Sequence, residues 1–184
     1  DINGEAAGDQ SGYSVSLSSD GKTIAIGAYN NTGNGVYSGH VRIYNYNDTD
    51  WVQLGEDING EDASDNSGYS VSLSSDGKTV AIGARNNSGN GASSGHVRIY
   101  NYNGTAWTQL GADIDGEAAS DQSGYSVSLS SDGKTLAIGA IANDGNGTSS
   151  GHVRIYNYKD TGWTKLGLDI DGDNVSNSGW SVSL

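Results

Sequence analysis

The chain has 184 residues and 22 Asp+Glu against 9 Lys+Arg, a formal net charge of -13. A field of that sign repels nucleic-acid phosphates and anionic lipid surfaces, so neither is an expected partner. Cys, Pro, Met and Phe are absent, which excludes disulfides, Cys-ligated metals and a thiol nucleophile.

No apolar run approaches the ~20 residues of a membrane-spanning helix. Membrane insertion is therefore not expected, and there is no basic-plus-apolar leader at Asp1. A translated chain begins with Met and this one begins with Asp1. The expectation is a processed product or a stretch of something longer. Charged residues make up 17% and hydrophobic ones 34%, with 29 Gly. That balance suits a folded, Gly-punctuated β protein rather than an acidic disordered tail.

The dominant feature is a repeat. DINGEAAGDQSGYSVSLSSDGKT at Asp1 returns with small changes at Asp57 and Asp113, and a shorter copy opens at Asp169. The units are 1–56, 57–112 and 113–168, with a partial fourth at 169–184, together one partial domain over 1–184. In the first unit the pattern predicts strand A over 13–18 (YSVSLS), B over 23–28 (TIAIGA), C over 40–46 (HVRIYNY) and D over 51–54 (WVQL). Period-two alternation with β-branched and aromatic residues is the signature of a half-buried strand. Asp20-Gly21 predicts a tight two-residue A–B turn, and Asn47 to Asp50 a short C–D turn. The B–C connection (29–39) and the connection from D to the next A (55–68) are longer.

Four antiparallel strands repeated head to tail predict an all-β fold of three β-propeller blades plus the first strand of a fourth. A β-solenoid is the alternative, and the tight hairpins argue against it. Val15, Leu17, Ile24 and Ile26 form a bulky face of the blade, and Ser14, Ser16, Ala25 and Gly27 a small one. Bulky against small, blade after blade, interdigitates without voids. Three blades make a wedge, so the expectation is a larger ring, completed by further blades of the same chain or by further copies of it.

The residues SGYSVSLSSDGKTIAIGA followed by GHVRIYNY resemble the FG-GAP repeat of integrin-alpha-type propellers, in the form found in repetitive bacterial surface or secreted proteins. Ser11-Gly12-Tyr13 stands for the family's Phe-Gly, and Tyr29 replaces a Pro after Gly27-Ala28. The resemblance implies an extracellular or cell-surface, non-enzymatic module for binding and adhesion. The family's calcium loop between strands A and B is not matched. Ser18-Ser19-Asp20-Gly21 has one carboxylate, far short of the oxygens calcium takes.

Other chemistry was weighed residue by residue. His40, His96 and His152 recur at the start of strand C, which suits a structural role better than a unique catalytic base. There is no nucleophile elbow and no phosphate-binding Gly loop followed by a helix. The D–A loops place oxygen ligands at alternate positions: Asp1, Asn3, Glu5; Asp57, Asn59, Glu61; Asp113, Asp115, Glu117; Asp169, Asp171, Asp173. Calcium is the candidate ion for them, with a solvated loop as the plain alternative. Tyr29, Arg85 and Ile141 vary at one B–C loop position on an otherwise constant frame, as does the pair containing Tyr37.

Variation on a rigid scaffold marks those residues as candidate contacts to a protein or glycan ligand, with drift at tolerant surface sites as the plain alternative. Trp51, Trp107 and Trp163 are candidate sugar platforms in the gaps between blades. Three functions follow: adhesion through the B–C and D–A loops, an architectural spacer or assembly unit of a surface layer or filament, and a lectin with one site per blade gap.

Overall fold

The computed structural model describes Asp1 to Leu184 and contains strands and turns but no α-helix. The first sheet comprises β1 (Ser14–Leu17), β2 (Thr23–Ala28), β3 (His40–Tyr46), β4 (Trp51–Gln53) and β5 (Ile58–Asn59). The second comprises β6 (Ser70–Leu73), β7 (Thr79–Ala84), β8 (His96–Tyr102), β9 (Trp107–Gln109) and β10 (Ile114–Asp115). The third comprises β11 (Ser123–Leu129), β12 (Thr135–Ala140), β13 (His152–Lys159), β14 (Gly162–Lys165) and β15 (Ile170–Asp171). Every pairing between strands is antiparallel, and the first four strands of each sheet are the four-stranded blade. The predicted strands A to D are present in each full unit, one or two residues shorter at some ends.

Two local features differ from expectation. The A–B connection is a longer loop, closed by Ser18 N donating to Thr23 O at 2.9 Å around a Ser18–Gly21 turn. Gly21 takes φ 70° there, which a Cβ would disfavour. Asp20 braces the loop by accepting from Ser18 Oγ and from Lys22 N, at 2.6 and 2.9 Å. Each D–A connection also contains a short strand that the sequence did not announce. β5 pairs with the start of β3, Val41 opposite Ile58 and His40 opposite Asn59. A two-residue strand inside an acidic loop carries too little pattern to be read.

The small-on-bulky packing holds for strands A and B, while strand C and the short strand after D add bulky residues to the small face. Ala25, Val41, Ile43 and Ile58 of the first blade pack against Val71, Leu73, Val80 and Ile82 of the second. Ala81, Val97, Ile99 and Ile114 of the second pack against Val127, Leu129, Leu136 and Ile138 of the third. The serines of the small face join the blades. Ser14 Oγ donates to Gly68 O at 2.7 Å, and Leu73 N donates to Ser16 Oγ at 2.9 Å. The same two bonds recur from Ser70 and Ser72 to the third blade.

Residues 180–184 do not form the strand expected of a fourth blade. Gly179 and Leu184 still make its interblade bonds, Ser126 Oγ donating to Gly179 O and Leu184 N to Ser128 Oγ. The reason is topological. Strand A is an edge strand whose ladder partner is strand B of its own unit, so the fourth copy keeps its contacts to the blade before it and gains no ladder.

The wedge leaves two faces uncovered. Val15 and Leu17 stand exposed on the first blade, and Leu168, Ile170 and Val175 after the third.

Candidate functional site

Three clusters recur, one per blade, where strand C meets the D–A loops. The β5–β3 pairing brings Asp57 beside His40, while Glu5 arrives from the loop before β1. His40 Nδ1 lies 3.6 Å from Glu5 Oε2 and 3.6 Å from Asp57 Oδ2. His96 Nδ1 lies 3.8 Å from Glu61 Oε2 and 3.9 Å from Asp113 Oδ2. His152 Nδ1 lies 3.9 Å from Glu117 Oε2, with Asp169 completing the group. In the second cluster Asp65, rather than Asp113, completes the group. These groups could hold a metal ion.

Both carboxylates are oriented by their other oxygen. Glu5, Glu61 and Glu117 turn Oε1 to the Nη1 of Arg42, Arg98 and Arg154, at 3.7, 3.4 and 3.6 Å. Those buried arginines also donate Nη2 to the carbonyls of Asn3, Asn59 and Asp115, which fixes the loop backbone. Asp57 Oδ1 accepts from Gln53 Nε2, and Asp169 Oδ1 from Lys165 Nζ. The three imidazoles are 1% exposed. Burial pushes their pKa values below the usual histidine value, more than nearby carboxylates raise them. Nδ1 of His40 and Nε2 of His152 are buried without a hydrogen-bond partner.

The alternating loop positions separate. Ile58 anchors in the core between Asp57 and Asn59. Past Gly60 the chain turns, so Asp57 sits with His40 while Glu61 reaches His96 of the next blade. Asn59 and Asp115 offer their carbonyls to arginine with exposed side chains, and Asp171 and Asp173 are exposed outside the third cluster. The buried Asp9, Asp65 and Asp121, which sequence reasoning passed over, accept from Asn31, Asn87 and Asn143 and hold each D–A loop against its B–C loop.

The tryptophans lie at the outer rim of the blade junctions. Trp107 Nε1 donates to Leu54 O of the blade before it at 2.7 Å, and Trp163 Nε1 to Leu110 O at 2.8 Å. Trp51 packs tilted against Tyr46, ring centroids 5.4 Å apart. Beside Trp107 opens a cleft of about 440 Å³ lined by Tyr100, Glu56, Asp57 and Thr105 among others. Its equivalent beside Trp163, about 390 Å³, is lined by Tyr156, Asp113, Asp115 and Thr161.

The variable B–C positions meet a row of aromatics that sequence reasoning did not single out. Tyr13, Tyr69, Tyr125 and Trp180 run across the blades with centroid spacings of 5.0, 5.1 and 5.0 Å. Tyr29 packs edge-on against Tyr13, and the Arg85 guanidinium lies over the Tyr69 ring at 3.9 Å. Ile141 is buried, and Tyr37 is exposed at φ 58°.

A wedge of twisted four-stranded sheets, joined head to tail by equivalent faces, defines blades of a β-propeller. The FG-GAP repeat family model matches the chain at two places, residues 3–44 and 112–156. No curated protein matches it. Among solved structures it resembles a protein named as a 6-phosphogluconolactonase of Bacteroides uniformis, at 17% identity and a TM-score of 0.58, over 85% of this chain and 40% of that one. Sqt1 of Saccharomyces cerevisiae is similar at 14% and 0.56, over 90% and 37%. Hydrazine synthase of Kuenenia stuttgartiensis is similar at 11% and 0.52, over 94% and 41%. The chain thus spans about two-fifths of the length of these structures. Identities this low carry the fold and nothing of the activity. No helix of the protein is long and apolar enough to cross a membrane.

Proposed function

We propose that the chain is a non-catalytic binding module of an extracellular or surface-displayed protein, with one glycan site at each blade junction. The observation that supports this is the recurrence of the rim cleft. Trp107 with Tyr100 and Glu56, and Trp163 with Tyr156 and Asp113, offer the same chemistry at two equivalent junctions. Aromatic faces suit the C–H faces of a sugar ring, and carboxylates accept from its hydroxyls. Half of each cleft's lining comes from the D–A loop and half from strand C, the C–D turn and strand D, and repetition gives avidity on a polymeric ligand. A lactonase-like activity gains no support from a likeness of fold alone.

The test is a glycan array followed by titration of the best binder, with Ala106→Arg and Gly162→Arg as blocking variants. Ala106 is exposed at the first cleft and Gly162 has open space around its Cα at the second. Each variant should remove about half of the sites, and both together nearly all binding. No glycan bound, or binding indifferent to both variants, would sink the proposal.

A second reading, assembly, is supported by the two uncovered faces. The exposed Val15 and Leu17 surface of the first blade is equivalent to surfaces that the second and third blades bury. A further blade of the same kind, in this chain or another copy, is its natural cover. Such a head-to-tail contact closes a ring if the rotation permits, and otherwise extends.

A further inference from the structure

We propose that each His-centred cluster binds a divalent transition-metal ion of the zinc class, through Glu5, His40 and Asp57 in the first, Glu61, Asp65 and His96 in the second, and Glu117, His152 and Asp169 in the third. The inference is independent of the glycan reading, because its readout is the metal.

Three observations carry it. First, His40 is 1% exposed, and its Nδ1 has no hydrogen-bond partner while facing two carboxylate oxygens at 3.6 Å. That separation is too long for a hydrogen bond. It is close to the ~3.4 Å between two ligand atoms that share a tetrahedral ion at bond lengths near 2.1 Å. Second, the free oxygen of each carboxylate is aimed by a partner on the other one. Arginine holds Glu Oε1 in all three copies, and Gln53 holds Asp57 Oδ1. Outer groups that orient ligands in this way are the usual companions of a metal site. Third, a histidine with two carboxylates recurs three times, assembled from separate stretches of chain, with Asp65 as the second carboxylate of the middle cluster where the other two use Asp57 and Asp169.

The donor set decides the class of ion. Calcium takes six to eight oxygens, whereas one imidazole and two carboxylates suit zinc, cobalt or nickel and leave a position open. Over the second cluster that position faces a cleft of about 320 Å³ lined by Glu61, Asp65, His96 and Asp113. A water or a ligand oxygen fits there. The net charge of -13 adds attraction for any cation.

The full chain, stripped with chelator, would be titrated with Co²⁺ by visible absorption and with Zn²⁺ by calorimetry. The ring nitrogens of its three histidines would be followed by NMR. Expected are ligand-field bands, about three equivalents bound, and shifts at Nδ1 of all three rings. Glu61→Gln, at a half-exposed side chain that tolerates replacement, should lower the stoichiometry to about two with an unchanged circular dichroism spectrum. His96→Gln should do the same if it folds. A millimolar excess of Ca²⁺ should not displace the ion. No binding at micromolar Co²⁺ or Zn²⁺ would overturn the proposal. So would binding that leaves the histidine signals and the Glu61→Gln stoichiometry unaffected, or ready displacement by Ca²⁺.

Discussion

Leu17, Leu73 and Leu129 occupy one strand position in the three blades, yet they are 52%, 7% and 6% exposed. Truncation to alanine therefore compares identical chemistry in unlike surroundings. Leu73 sits among Val71, Val80 and Ile82 beneath the first blade, and Leu129 among Val127 and Leu136 beneath the second. A buried Leu→Ala change loses transfer energy and leaves a cavity, about 3 kcal/mol together. At Leu17 half of the side chain already meets water. Half of the ~2 kcal/mol that burying a leucine contributes is about 1 kcal/mol, with no closed cavity to add. The expected gap is thus about 2 kcal/mol. Urea unfolding of the three variants, followed by fluorescence at dilute and at high protein concentration, measures it. Equal costs in dilute solution would refute the open-face reasoning. A cost at Leu17 that rises with concentration would show a second copy covering that face.

Gly83→Ala should cost about 3 kcal/mol or abolish folding, because its Cβ would fall on the Gly124 carbonyl of the next blade; thermal unfolding checks it. Trp107→Phe keeps an aromatic face but removes part of the indole and the donor to Leu54 O, so urea unfolding should show a loss of at least about 1 kcal/mol. The Ser18 and Ser130 hydroxyls, each helped by a lysine backbone N–H, hold Asp20 and Asp132 below the usual carboxylate pKa. A depressed folded-state pKa contributes stability above the unfolded value and loses it as pH falls through the folded one. The Asp20→Asn, Asp132→Asn double variant should therefore be less stable than the parent at neutral pH. The difference should begin to shrink below about pH 4 and vanish only once the pH has fallen through the depressed folded-state pKa, as a pH series of melting curves would show.

The sequence by itself determined the blade. Alternation in YSVSLS and TIAIGA sets which side chains share a face, and repetition of both faces tells each sheet what covers it. These are local signals with a period, so they survive without coordinates. Tertiary structure alone decided which residues meet across units. Asp57 and Glu61 look like neighbours in one loop, but the buried Ile58 and the turn after Gly60 send them to different histidines. The recurrence that made His40, His96 and His152 look merely structural hid their shared chemistry, because Glu5 and Asp57 are brought to His40 from distant stretches of chain. The tyrosine row was hidden likewise, since each ring is unremarkable in its own unit and gains its neighbours only when the blades stack at about 5 Å between centroids. Strand pattern is written along the chain, whereas a site assembled across a blade junction exists only once the faces have closed.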